Sequence, residues 1–161
     1  MDENGGARGS IIGESSFMQA RAQAVKSVSG DLSARTAYAD SERETKVPPT
    51  ILDEWMPAFL TQLAAPGAQY VRAATSGGNP LLYVFDPDRE SFAEFAAAGG
   101  DGWTVRQGGP IPLWDHIEES LTAWEAGGRP DITAVQLRVS RESHLYWIEG
   151  SPALRWEHRL D

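Results

Sequence analysis

Cysteine is absent from this 161-residue chain. That excludes disulfides, thiolate metal sites and a thiol nucleophile together, and it agrees with a cytoplasmic setting. Lysine is almost absent too: Lys26 and Lys46 stand alone. Acidic residues outnumber basic ones 23 to 14, a net charge of −9, and no Lys/Arg cluster reverses the balance locally. Nucleic-acid binding draws on basic neutralisation of phosphates, so that partner class is excluded. No apolar run approaches the roughly 20 residues of a membrane span. The start, "MDENGGARGS", is too polar for a secretory signal. A cytoplasmic protein without membrane contact is expected.

The usual signatures of chemistry are also missing. "SGGNP" and "AAGGDGW" lack the spacing, the strand-to-helix context and the lysine of a phosphate cradle, and read as turns. No Gly-x-Ser-x-Gly elbow is present for a serine nucleophile. The three histidines (His116, His144, His158) are scattered in sequence and form no metal motif. His116 with Glu118 or Glu119 is the one pair on a helix that could contribute ligands, and a solvated helix surface explains it more simply. The carboxylate pairs Asp53/Glu54, Asp86/Asp88 and Glu118/Glu119 each sit at a helix start or a turn, where structure accounts for them. No catalytic, cofactor-binding or metal-ligating residue is assigned.

What the chain does contain is punctuated amphipathic segments. The Ser-, Ala- and charge-rich stretch 27–46 offers little to bury, which marks residues 1–47 as a mobile N-terminal segment or linker and 48–161 as the folded domain. Within the first part, "SIIGESSFMQARAQAV" carries an apolar patch (Ile11, Ile12, Phe17, Met18) suited to a strand or a short docked helix. After Pro48-Pro49, with Thr50 as a candidate N-cap, "ILDEWMPAFLTQLAA" has helical spacing in Leu52, Trp55, Phe59, Leu60 and Leu63. Pro57 should kink that helix or delay its start. Four short strands follow, "AQYVRAAT", "PLLYVFD", "SFAEFAA" and "GWTVRQG", separated by turn residues at meander spacing. "SFAEFAA" also suits a helical turn.

The most organised stretch is "GGPIPLWDHIEESLTAWEAGGRPDITAVQLRVS" (108–140). Pro110 and Pro112 set the entry, and Leu113, Ile117, Leu121 and Trp124 form the core stripe of a helix. Gly127 or Gly128 supplies the left-handed stop before Pro130. "ITAVQLRV" alternates, with Thr133, Val135, Leu137 and Val139 on one face, and a turn at 140–143 leads into "HLYWIEG" as a hairpin. The expected fold is α+β: a mainly antiparallel sheet of about five to six strands with two helices packed on one face. Six tryptophans (55, 103, 114, 124, 147, 156) are unusual for this length. Trp55 and Trp124 fall on core stripes. Trp114, one step off its stripe, and Trp156, in the polar tail, are the candidates to line a peptide-binding groove.

Gly109-Pro110, Leu113-Trp114-Asp115, Trp124, Gly128-Arg129-Pro130, Leu137 and Trp147 carry a resemblance. The chain resembles the C-terminal auxiliary region of actinobacterial methyltransferases related to protein-L-isoaspartate O-methyltransferase, many of them associated with ribosomally made, modified peptides. The likeness spans roughly residues 10–158 and is densest over 103–150. In that family S-adenosylmethionine binds a preceding α/β core through a Gly-rich loop that has no counterpart here. The resemblance therefore implies a non-catalytic auxiliary domain, stand-alone or truncated, that recognises a precursor peptide or docks on a methyltransferase core. S-adenosylmethionine would enter only through a partner or a missing core. The alternatives are a cytoplasmic binding or structural protein sharing only the fold, and an enzyme whose site has no recognised signature.

Overall fold

The computed structural model describes residues 39–74 and 80–160. Antiparallel pairing organises them into eight strands in two sheets. The larger sheet contains β1 (Ser41–Glu44), β2 (Gln69–Ala74), β3 (Pro80–Asp86), β4 (Ser91–Ala97) and β5 (Trp103–Gly108), in the order β1-β5-β4-β3-β2. The smaller contains β6 (Val135–Val139), β7 (Ser143–Ile148) and β8 (Ser151–Arg159), in that order. Two helices accompany them, α1 (Trp55–Ala64) and α2 (Leu113–Ala126). The class is the α+β expected, and the four meander strands and the 140–143 hairpin turn fall where their alternation and turn residues put them. "SFAEFAA" is a strand, because Phe92, Phe95 and Ala93 pair across to β3 and β5.

The larger sheet presents Leu82, Val84, Ala93, Phe95 and Val105 to α2, which answers with Leu113, Trp114, Ile117, Leu121 and Trp124. α2 packs in turn against α1 and against β8. Ile148 and Leu154 of the smaller sheet join the same buried cluster, so one core serves both sheets. The expectation of a single sheet missed this division. α2 ends at Ala126, and the chain turns away through Gly128, φ +82°, with Arg129 also left-handed and the Trp124 Nε1–H donating to the Pro130 carbonyl at 2.8 Å. Gly109, φ +101°, is required: a Cβ there would lie 2.5 Å from the Glu90 carbonyl oxygen.

Three expectations are corrected. The domain does not begin at residue 48: Ser41–Glu44 form β1, hydrogen-bonded to β5, and Val47 is 2% exposed in the core. The low apolar content of 39–47 hid this, because polar pairing with β5 and α2, not burial of large side chains, secures the strand. Trp55 is not a core residue but is exposed and stacked on Phe59 with centroids 5.6 Å apart. The cause is Pro57: the chain first makes a 3₁₀ turn over Pro49–Asp53, capped from Pro48 and not Thr50, and α1 starts only at Trp55. That break resets the helical phase between Leu52 and Trp55. Finally, the apolar face of β6 is only partly used, since Val135 packs on the core while Leu137 and Val139 are exposed. The segment 1–38 and the turn at 76–79, read from sequence above, lie outside the described residues.

Candidate functional site

Two places gather polar side chains. The first is the seam between β1 and α2. Arg43 on β1 reaches α2, donating to Asp115 and pairing with Glu118 Oε2 at 2.8 Å. The Thr45 hydroxyl donates to Glu118 Oε1 at 2.6 Å, and the Lys46 and Val47 N–H groups donate to the same oxygen. Gln107, buried on β5, donates to Asp115 at 2.8 Å and accepts from the Trp114 N–H at 3.1 Å. Partial burial opposes ionisation of Glu118, but the bonds from Thr45, Arg43 and Lys46 outweigh it and hold its pKa below the ordinary glutamate value. Asp115 behaves alike: desolvation is exceeded by Arg43 and Gln107, and its pKa is lowered. Both carboxylates are already filled with donors, and together they fasten β1 and the residues after it to α2.

The second place is a groove of about 540 Å³ between the end of α1 and β8, lined by Leu63, Ala64, Pro66, Arg89, Trp156 and His158 among others. Trp156 is half-buried, with part of its ring against the core. His158 lies 2.8 Å from the Leu63 carbonyl through Nε2, which fastens β8 to α1. Arg89 enters from the β3–β4 turn, where Asp86 Oδ1 accepts from the Asp88 and Arg89 N–H groups at 3.1 Å each. Glu157 and Arg159 complete the lining.

Of the two tryptophans singled out from sequence, only Trp156 lines a groove. Trp114 is 0% exposed: its ring meets Phe95 edge-on at 4.6 Å and its Nε1–H donates to the Thr45 hydroxyl at 2.8 Å. It is withdrawn as a peptide contact, because β1 covers the side of α2 that the sequence left open. His116 and Glu119 are exposed, as a solvated helix surface requires. His144 and His158, far apart in sequence, stand opposite each other across β7 and β8 with Tyr146 5.2 Å from His158, a proximity that only strand register could reveal. Among the described residues no group of three or more His, Cys, Asp or Glu side chains is placed to hold a metal ion. No described helix is long and apolar enough to cross a membrane. Comparison with protein-family models, curated proteins and solved structures returned no match for this chain.

Proposed function

We propose that this chain is a cytoplasmic, non-catalytic auxiliary domain of a protein-L-isoaspartate O-methyltransferase-like system, which recognises a precursor peptide or docks on a methyltransferase core. The observation that carries the reading is the groove at Trp156. A half-buried aromatic ring packed on the core, lining a groove where Arg89, His158 and Arg159 outnumber Glu157, is suited to hold a peptide side chain and a neighbouring carboxylate. S-adenosylmethionine would be supplied by the partner.

Calorimetric titration tests the reading, with a recombinant isoaspartyl-type methyltransferase core and with Asp-containing peptides as probes. Binding of one of them is expected, weakened at least tenfold (about 1.4 kcal/mol) by Trp156→Ala. S-adenosylmethionine alone should bind no more tightly than about 100 μM, near −5.5 kcal/mol. Tighter cofactor binding, or peptide binding indifferent to Trp156, would overturn it.

A further inference from the structure

The free edge of the smaller sheet has a pattern that fits a second copy of itself. Among the described residues β6 is an edge strand, paired with β7 alone. Edge strands are guarded by short length, charge, proline or a bulge. β6, "VQLRV", is short and carries Arg138 but has no lysine, proline or bulge, and Leu137 and Val139 are 52% and 63% exposed.

The hairpin register decides which backbone groups are free. The Ser140 N–H donates to the Ser143 carbonyl, and the Glu149 N–H to the Ala134 carbonyl. Hydrogen-bonded pairs alternate along an antiparallel ladder, so Gln136 and Arg138 spend their N–H and C=O groups on β7. Those of Val135, Leu137 and Val139 point outward, away from the sheet.

A two-fold axis through Leu137 uses all of them. It sets Leu137 against the partner's Leu137 and Val135 against the partner's Val139, each a hydrogen-bonded pair. Gln136 falls opposite the partner's Arg138, so no like charges meet. An axis perpendicular to the sheet keeps Val135, Leu137 and Val139 of both copies on one face, as an isologous interface requires. The turn residue Arg141 is then carried toward the end of the strand that holds the partner's Asp131. Centring the axis on Gln136 would carry Val139 past the partner's strand to face the partner's Thr133, centring it on Arg138 would set Arg138 against the partner's Arg138, and centring it on Val139 would oppose Leu137 to Arg141. Only Leu137, the middle of Val135–Val139, pairs the whole strand with itself.

We infer that the protein forms a symmetric dimer in which the β6 strands of two copies pair antiparallel about Leu137, joining the two small sheets into one of six strands.

The absence of cysteine makes a register-specific test possible. In Leu137→Cys the two thiols face each other across a hydrogen-bonded pair, whose Cα separation of about 5.5 Å suits a disulfide. In Val139→Cys they lie about 14 Å apart along the strands, out of reach. Mild oxidation of the full chain should crosslink the first variant and leave the second monomeric on a denaturing gel. Sedimentation from about 5 to about 500 μM, the range of weak to moderate interfaces, should show wild type approaching twice its 17.5 kDa mass. Leu137→Lys should remain monomeric with an unchanged melting temperature, because it sets like charges together at an exposed position. A wild type that stays monomeric throughout, equal crosslinking of both cysteine variants, or a Leu137→Lys chain that still dimerises would each overturn the inference.

Discussion

Glu118 shows how a residue's role can be invisible at its own position. On the helical wheel it is a polar neighbour of the core stripe, yet its side chain is nearly buried and holds Arg43, Thr45 and two backbone N–H groups. Removing it as Glu118→Ala takes the shared acceptor from the Thr45 hydroxyl and the Lys46 and Val47 N–H groups and leaves Arg43 with Asp115 alone, and should cost about 3 kcal/mol in a chemical-denaturation measurement. The pH dependence has a definite sign. Glu118 and Asp115 have folded-state pKa values below their ordinary ones, so their contribution is complete at neutral pH. It drains away as pH falls through the carboxylate range near about pH 4. A melting series from about pH 7 to about pH 3 should therefore show a steep acid limb, and Glu118→Gln should flatten it while lowering the neutral-pH melting temperature. Gly109 is the second single-residue constraint. Its left-handed backbone and the contact with Glu90 and Ser91 leave no room for a methyl group, so Gly109→Ala should destabilise by more than the ~1 kcal/mol of an ordinary glycine change.

At the scale of elements, α2 is scaffold. Trp124 is 4% exposed and Leu121 fully buried, so Trp124→Ala should cost about 3–5 kcal/mol and Leu121→Ala about 2–5 kcal/mol. His116→Ala and Glu119→Ala, on the solvent side, should cost under about 0.5 kcal/mol. Thermal melts of the four variants check this division, and an unshifted Trp124→Ala would refute the helix-face assignment. β1 makes a comparable test of the N-terminal boundary. A chain starting at Pro48 loses the β1–β5 ladder, the ligands of Glu118 and the hydroxyl that receives Trp114. It should melt well below a chain starting at Ala39, whereas equal stability would restore the boundary at residue 48. α1 is the element whose start was half legible: Pro57 announced a delay, but only the 3₁₀ turn reveals that the delay turns Trp55 outward.

In the whole molecule, two sheets share one core through α2 and β8, and this predicts a single cooperative unfolding transition. Urea curves by far-UV circular dichroism and by tryptophan fluorescence should superimpose, because Leu154 and Ile148 of the small sheet sit in the same cluster as Val84 and Phe95 of the large one. Two separated transitions would mean that the small sheet folds on its own. The sequence by itself determined the local periodicities: four meander strands, the α2 stripe from Leu113 to Trp124, its glycine stop and the 140–143 turn. These depend on contacts within a few residues, where hydrophobic spacing and turn chemistry are sufficient. Tertiary structure alone decided the rest. It split the strands into two sheets, recruited the polar segment Ser41–Glu44 as an edge strand, buried Trp114 beneath it, and placed His144 beside His158. It also set Trp156 in a groove with Arg89, from a turn more than sixty residues earlier. Each of these outcomes rests on which strand pairs with which and in what register, and pairing between distant segments leaves no periodic trace in either of them.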